Sequence, residues 1–455
     1  MSRDEVRAPG ALSIPSYRIL FTGTMASFTA FFMSTAVQGV VAFELIGTNS
    51  AVGSAVFGQG LGMLLFSPIG GAYADRLPKR RVVALGQLTS AAVFGSLGLL
   101  YALEVLSVAH LVAGSFVIGS AFAFLGPARQ AMVVDLVPLR MRGNAMALNN
   151  VANTLSRVIG PSLAALLLAS AIAGPAAAYA VMALLYVTSA MLLLLLPRSV
   201  VREGVGDTHA LEDLAIGLRY VWRHDRLRRL LFFFVGVMLI GFPHVSLIPG
   251  LLENELGRPA EDVTTLYTVS AIGALAVSLT VSRLADSPRA TAVYSVMAGA
   301  FGLSLGLLAW APDFPATILA MGVVGGASGG FHALNGAVIA RETDGVYMGR
   351  VMSLTMLAFA GFGLTALPLG VLADRVGERA VLWAMGTGVA LLSLRMGWLI
   401  TRAEAGLSRQ AAEAKRVEPV GPGILEPAPG SRSDEGAEAS VAASDSVLSR
   451  GASAS

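Results

Sequence analysis

The sequence predicts an all-α membrane protein whose twelve transmembrane helices form two pseudo-symmetric six-helix halves. Of its 455 residues, 55% are hydrophobic and 13% are charged, whereas a soluble domain is nearer a quarter charged. Twelve mostly apolar runs approach or exceed the roughly 20 residues that a helix needs to cross the hydrocarbon of a bilayer. Short motifs recur between the first six runs and the last six, which suggests a duplication.

The predicted spans follow one another closely within each half. Those of the first half lie at 17–44, 50–73, 82–104, 109–134, 144–171 and 176–196. Those of the second half lie at 228–250, 264–284, 290–311, 315–340, 350–372 and 379–400. The halves are therefore residues 17–196 and 228–402, after a cytoplasmic N-terminal segment at 1–16. The 51 glycines suit close helix packing in lipid, because small residues let backbones approach.

Two polar regions flank the second half. Within the linker at 197–227, residues 209–224 place their apolar side chains on one helical face and their charged side chains on the other. This pattern predicts an amphipathic helix that lies on the membrane surface, connects the halves, or does both. Beyond Thr401 the chain turns to Ala, Ser, Gly, Glu and Pro, and we predict a disordered cytoplasmic tail over 403–455.

The distribution of Lys and Arg sets the predicted orientation. With the N-terminus in the cytoplasm, the connections that face the cytoplasm hold 17 of these residues and the outward connections hold 3. Positive residues accumulate on the cytoplasmic side of membrane proteins. The imbalance supports cytoplasmic N- and C-termini and an even number of spans.

The halves echo each other in sequence. The Ala-Asp pair at 74–75 is repeated 211 residues later, and Gly143, Met146 and Leu148 are each matched 206 residues later. Pro161 is matched by Pro368, an offset of 207. Transporters often contain such repeats and bind their substrate at mid-membrane between them.

Composition and motifs exclude several classes of function. The net charge of +3 is too small to indicate nucleic-acid binding. The chain has no cysteine, and it carries neither a phosphate-binding G-x-x-x-x-G-K-[ST] loop nor an H-E-x-x-H zinc pair. We therefore expect no enzymatic activity, no metal and no cofactor.

The stretch GGAYADRLPKRR, at 70–81 between the second and third spans, resembles the loop signature of the major facilitator superfamily. The residues that match are Gly70, Gly71, Ala74, Asp75, Arg76, Lys79, Arg80 and Arg81. The sequence departs from that signature at Pro78, where a second glycine is usual. Residues 126–161 resemble more specifically the branch that contains the enterobactin exporter and related bacterial drug exporters.

The resemblance implies alternating access, with the loop acting as a latch between the halves. The residues assigned to that latch are Gly71, Asp75, Arg76, Lys79, Arg80 and Asp135. Asp75 ends the second span near the expected start of the eleventh span at Gly349, and a carboxylate beside a helix N-terminus is stabilised by about 0.3–1 kcal/mol. Asp135 ends the fourth span on the same side and can pair with Lys79 or Arg80. The alternative is that the bases only set the orientation.

Polar residues inside the spans are the candidates for binding substrate or coupling ions, because they are costly in lipid. Arg157 lies near the middle of the fifth span, where it either faces an anionic substrate or pairs within the bundle. The other candidates are Gln38, Gln59, Asn149, Asn153, His332, Asn335 and Glu44. With Phe31, Phe32, Phe242 and Phe331 they suggest an aromatic cavity for an amphipathic compound.

The stretch SRVIGPSLAA at 156–165 resembles the antiporter signature of drug exporters. Gly160 and Pro161 match it, while Ser156, Ala164 and Ala165 replace glycines. The motif predicts a kinkable helix with a small face, and ordinary small-residue packing is the alternative. No acid lies at mid-span, and Glu44 is the better acidic candidate although it lies near the outer surface, so proton antiport is implied by the resemblance alone.

These features predict a proton-driven secondary exporter of small amphipathic or drug-like molecules. An exporter of a siderophore or other anionic metabolite, or an importer on the same fold, is the alternative. We expect a monomer in the bacterial inner membrane whose partners are a small-molecule substrate, protons and lipid.

Overall fold

The fold was examined in a computed structural model. It describes residues 10–76, 78–170, 174–196, 210–285 and 287–417, without the side chains at 68, 69, 71–76, 210, 211, 213, 356 and 403–417. By its contacts the described chain divides into two units, the first of which ends at residue 403. No strand occurs among the described residues, and twelve helical segments are long and apolar enough to cross a membrane. The predicted fold class is therefore confirmed.

The long helices follow one another with short connections. Those of the first half are α1 (Pro15–Ile46), α2 (Asn49–Arg76), α3 (Lys79–Ala102), α4 (Val108–Asp135), α5 (Arg142–Leu168) and α6 (Gly174–Leu194). The linker forms α7 (Ala210–Arg223). The second half contains α8 (Asp225–Ile240), α9 (Val263–Val281), α10 (Ala290–Trp310), α11 (Phe314–Arg341), α12 (Met348–Val376) and α13 (Glu378–Val417).

Local signals in the sequence explain several boundaries. Gly47 ends α1 with a left-handed backbone at φ 72° and so allows the turn into α2. Asp313 begins α11 because its carboxylate accepts a hydrogen bond from the amide of Ala316 at 2.8 Å. Because successive spans alternate in direction, their connections fall at two ends. We call these the Gly47 end, which holds the α1–α2 turn, and the Pro78 end, which holds the α2–α3 connection.

The structure differs from the prediction in two elements. The seventh span starts at Asp225 rather than residue 228, and it is broken: α8 stops at Ile240, a 3-10 turn follows at Phe242–Leu247, and a π-helical turn covers Leu251–Glu255. The interruption contains Gly241 and Pro243, which respectively add backbone freedom and remove an amide donor. The last helix continues to Val417, because residues 402–417 are rich in Ala, Glu, Arg and Gln, all strong helix formers. Residues 418–455 of the predicted tail lie outside the described residues.

The two halves repeat the same helix pairs. In the first half α2 packs on α4 and α1 on α5, and in the second half α9 packs on α11 and α8 on α12. A Cβ atom added to Gly119 would lie 2.0 Å from the carbonyl oxygen of Gln59, and one added to Gly325 would lie 1.8 Å from that of Ser270. These glycines are 206 residues apart and their partners 211, the same offsets as the sequence echoes.

Replacing Gly325 by alanine is expected to destabilise the second half, because the new methyl group meets backbone of α9. Overpacking of this kind costs about 1–3 kcal/mol. Thermal unfolding of the purified protein in detergent is the measurement. Gly336→Ala in the same helix is the control, since nothing lies within 4 Å of its added Cβ. Equal melting temperatures for the two variants would contradict the close packing of α9 on α11.

The linker helix α7 packs against the second half rather than lying free. Tyr220 and Val221 are buried in a cluster with residues of α11 and α12, and the Tyr220 ring stacks on Tyr347 at 4.1 Å. Burial raises the pKa of Tyr220, so its phenol stays protonated and donates to Asp344 at 3.0 Å. Trp222 is 53% exposed. The helix is thus a packed connector at the Pro78 end, with part of its apolar face left uncovered.

Candidate functional site

Arg157 lies at the middle of α5, on the part of that helix that packs against α1. The packing is close because Ser156 is fully buried and a Cβ at Gly160 would lie 2.8 Å from the carbonyl oxygen of Thr29. Pro161 follows within the continuous helix. The guanidinium carbon of Arg157 stands 5.2 Å from the ring centre of Phe32, and its buried Nε has no hydrogen-bond partner among the described residues.

An aromatic cluster of the second half lies at the same level. It consists of Phe234, Phe242, His332 and Phe359, which come from α8, the turn after it, α11 and α12. The His332 ring stacks on Phe359 at 5.4 Å and meets Phe242 edge-on at 4.6 Å. His332, Phe242 and Phe359 remain partly exposed in the interior of the bundle. Arg157, His332 and Phe359 lie near the middles of α5, α11 and α12, so the arginine and the cluster lie at a similar depth in the bundle.

The other predicted polar residues are spread more widely. Gln38 accepts a hydrogen bond from the Ser115 hydroxyl at 2.6 Å. The buried Asn335 accepts one from Tyr294 at 2.9 Å, so its oxygen serves packing within the second half. Asn149, Asn153 and Gln59 are half-buried, and Glu44 is exposed beside the Gly47 end. The structure therefore does not gather all these residues around Arg157.

The predicted cavity residue Phe331 and a second histidine, His244, belong to the packed core. Phe331 is fully buried and stacks on Tyr294 at 4.7 Å, so it does not line a cavity as the sequence predicts. His244 is 4% exposed and its Nδ1 lies 2.8 Å from the carbonyl oxygen of Gly241. Both residues stabilise the second half, because their rings are enclosed by protein.

The Pro78 end carries part of the predicted latch. Lys79 Nζ lies 2.6 Å from Asp135 Oδ2, which is the pairing that the sequence predicts. Arg80 donates to the carbonyl of Leu196. Both contacts join elements of the first half, so neither fastens one half to the other. The side chains of Asp75 and Arg76, and the surroundings of Gly71, lie outside what the structure describes. The role of this loop in transport stays a prediction.

A second set of acidic contacts, which the sequence analysis missed, joins the halves at the Gly47 end. Asp374, at the end of α12, accepts hydrogen bonds from the amides of Asn49 at 2.7 Å and Ser50 at 3.0 Å. Glu378 accepts from the side-chain amide of Asn49 at 2.8 Å. We call Asn49, Ser50, Asp374 and Glu378 the Asn49 clamp. The carboxylate of Asp374 caps the N-terminus of α2, where a negative charge is stabilised by the helix dipole.

Glycines allow the backbones to meet around the Asn49 clamp. A Cβ atom at Gly53 would lie 2.5 Å from the carbonyl oxygen of Ala366, and one at Gly370 would lie 2.6 Å from that of Asn49. A Cβ at Gly250 would lie 2.2 Å from Asn49 Oδ1. Helices α2 and α12 are therefore in backbone contact across the halves near this end.

A signal for the Asn49 clamp is present in the sequence. The triplet Ala-Asp-Arg occurs at 373–375 as well as at 74–76. The repeat of the halves does not reveal the second copy, because this copy lies outside the offset that relates the halves and falls at a predicted outward connection. An acid followed by a base at a helix end is too common a pattern to identify its partner without the tertiary structure.

The two ends differ in how the halves meet. At the Gly47 end the Asn49 clamp and the packing of α2 on α12 hold them together. Near mid-bundle, the Ser162 and Thr268 hydroxyls lie 3.2 Å apart between α5 and α9. Toward the Pro78 end, α2 contacts the linker helix α7, while α4 and α5 make at most isolated contacts with α11 and α12 among the described residues. This asymmetry describes a bundle closed at the Gly47 end.

Two crevices lie away from these polar groups. One, of about 530 Å³, runs between α2 and α4 and is lined by apolar side chains such as Phe57, Leu61 and Phe116. The other, of about 420 Å³, lies between α9, α10 and α11. Neither contains a titratable side chain, so we place the candidate binding region at Arg157 and the aromatic cluster.

Comparison with known proteins matches the model of the Major Facilitator Superfamily to residues 19–359 and 231–429. Multidrug resistance protein MdtH of Salmonella newport is 26% identical over 255 residues, 55% of this chain and 57% of that protein. Multidrug resistance protein 2 of Bacillus subtilis is 23% identical over 238 residues, 51% and 57% respectively. The chain thus spans little more than half the length of these relatives. A solved structure of the nucleoside transporter NupG aligns with a TM-score of 0.70 at 14% identity, covering 84% of this chain and 98% of that one, a likeness of fold.

Proposed function

Because the chain belongs to the Major Facilitator Superfamily, we propose that it is a secondary active exporter of small amphipathic molecules that works by alternating access. The family and the twelve spans make it a transporter. The drug-like substrate class is supported by the relatives named multidrug resistance proteins. The outward direction rests on the same names.

The observation that supports the proposal is that Arg157 in the first half and the aromatic cluster in the second half lie at a similar depth in the bundle. Binding sites for small molecules are mostly apolar and aromatic, with a few polar groups that fix orientation. The cluster supplies the apolar walls and Arg157 supplies the polar group. The closed Gly47 end and the loosely joined Pro78 end give such a region access from one side.

We infer that the two ends open in turn through α2 and α12, which are antiparallel neighbours. Asp374 ends α12 and caps α2 at the Gly47 end. The same antiparallel arrangement directs the end of α2, with Asp75, toward the start of α12 at Met348. The two Ala-Asp-Arg triplets then join the same pair of helices, α2 and α12. The triplet at 373–375 joins them at the Gly47 end and the triplet at 74–76 joins them at the Pro78 end. Contacts made in only one state bias a two-state equilibrium.

The orientation and the energy source are parts of the proposal. The excess of Lys and Arg in the connections of the Pro78 end supports a cytoplasmic location for that end and for both termini. Proton coupling is supported by the family resemblance. No described carboxylate lies at mid-span, so the coupling group is not an acid beside Arg157 in the described part of the chain. An exporter of an anionic metabolite, or an importer, is the alternative.

Dye efflux into everted membrane vesicles tests the proposal. We expect uptake of an amphipathic dye into vesicles that contain the protein when a proton gradient is imposed, and loss of uptake when an ionophore collapses it. Vesicles without the protein are the control. ATP-dependent uptake that survives collapse of the gradient would contradict secondary active transport, and movement of dye only in the opposite direction would indicate an importer.

A further inference from the structure

Two arginines of the first half, Arg129 on α4 and Arg157 on α5, contact the same face of α1. The guanidinium carbon of Arg129 lies 4.8 Å from the ring centre of Phe28, and that of Arg157 lies 5.2 Å from that of Phe32. Phe28 and Phe32 are four residues apart and so are neighbours on one helix face. The cations therefore line up along α1 inside the membrane-spanning part of the bundle.

Neither arginine has an acidic partner among the described residues. The described carboxylates lie at the ends of the spans, and the nearest along the chain, Asp135, is paired with Lys79. A buried cation without a counter-ion is costly, and mid-membrane charges persist where they serve a function. Contact with a ring face offsets only part of that cost.

The aromatic cluster of the second half lies at a similar depth in the bundle. The His332 and Phe359 rings are stacked with 14° between their planes and Phe242 meets His332 at 66°, so the cluster presents both ring faces and edges. A cation on one side and flat apolar surfaces on the other match a molecule with a negative group and an aromatic body.

We propose that Arg157 and the aromatic cluster form a binding subsite for small organic anions that carry a flat apolar body. The anion supplies the counter-charge that the protein lacks at Arg157, and its apolar body packs between Phe32 and the cluster. This inference rests on the proposed transport function, whose substrate class it narrows.

Three probes of matched shape and different charge test the subsite: 2-naphthoate, 2-naphthylmethanol and 2-naphthylmethylammonium. Their affinities for the full chain in lipid nanodiscs are measured by calorimetry. We expect the anion to bind at least tenfold more tightly than the cation, with the neutral probe between them. Equal affinities, tighter binding of the cation, or no binding of the anion would overturn the proposal without any variant being needed.

Two substitutions at Arg157 separate charge from packing. Arg157→Gln is expected to weaken 2-naphthoate at least tenfold and the neutral probe less than threefold, whereas Arg157→Lys should keep most of the preference for the anion. Arg258→Gln is the matched control, because Arg258 also lies over a phenylalanine ring, Phe314 at 4.7 Å, but is paired with Asp262 at the Gly47 end. It should leave all three affinities unchanged. An equal loss for all probes in Arg157→Gln would show a structural role and overturn the subsite.

The outcome is distinguishable from failure of the proposed function. Efflux of cationic dyes without preference for 2-naphthoate overturns the subsite and leaves the exporter standing. Preferential binding of 2-naphthoate without any efflux supports the subsite and contradicts the exporter.

Discussion

Replacing Asp374 by asparagine is expected to open the Gly47 end and to reduce transport, because the closed state loses the charge that caps α2. A carboxylate at a helix N-terminus is worth about 0.3–1 kcal/mol, and hydrogen bonds to a charged group about 1.5–3 kcal/mol. Since Asp374 is exposed, we take a net loss of about 1.4 kcal/mol, which lowers the equilibrium ratio of the closed to the open state about tenfold. Transport falls because alternating access passes through that state.

The chain has no cysteine, so spin labels can be attached at introduced cysteines without altering the background. One pair, Val105 and Ala380, reports on the Gly47 end, and a second pair, Leu139 and Val346, reports on the Pro78 end; all four side chains are exposed. Pulsed electron resonance should show longer distances for the first pair in Asp374→Asn and shorter distances for the second.

The control for this prediction is Asp313→Asn. Asp313 also caps a helix at the Gly47 end, but it caps α11 within its own half. Both label distances should therefore stay as in the unsubstituted protein. Unchanged distances in Asp374→Asn, together with normal efflux, would contradict the Asn49 clamp.

Replacing Gly53 by alanine is expected to have a larger effect, because the added methyl group meets backbone rather than a flexible side chain. Its Cβ would lie 2.5 Å from the carbonyl oxygen of Ala366. The methyl group therefore prevents α2 and α12 from approaching as closely as the closed Gly47 end requires. Overpacking costs about 1–3 kcal/mol. At the middle of this range, about 2 kcal/mol, the equilibrium ratio of the closed to the open state should drop about 30-fold, because the cost falls on the closed state. The Val105–Ala380 distance and efflux are the measurements.

A neighbouring glycine makes the comparison selective. A Cβ at Gly62 would lie 2.2 Å from the carbonyl oxygen of Phe116, which belongs to α4 of the same half. Gly62→Ala should lower the melting temperature and leave the Gly47-end distance unchanged. Gly53→Ala should lengthen the Gly47-end distance with little change in melting temperature. If both variants merely melt earlier, the packing of α2 on α12 is structural and does not regulate access.

The number, order and approximate limits of the spans could be predicted from the sequence, because crossing a bilayer requires long apolar runs, a property of each segment alone. The repeat of the halves was visible for the same reason: glycines such as Gly119 and Gly325 carry the constraint of close packing in their identity. The break in the seventh span was not predicted, since Gly and Pro interrupt some spanning helices and are tolerated in others. Pro161 lies within a continuous helix, whereas Gly241 and Pro243 accompany the break.

The sequence was also sufficient to predict that Arg157 lies within a membrane-spanning helix and that acids are confined to the ends of the spans. Which of these charges have partners is seen only in the tertiary structure. Asp374 meets Asn49 across 325 residues of chain, and Arg157 meets the Phe32 ring but no described acid. The physical reason is that burial in lipid depends on local composition, while a hydrogen bond or an ion pair depends on two groups meeting within about 3–4 Å, which the docking of the two halves alone determines.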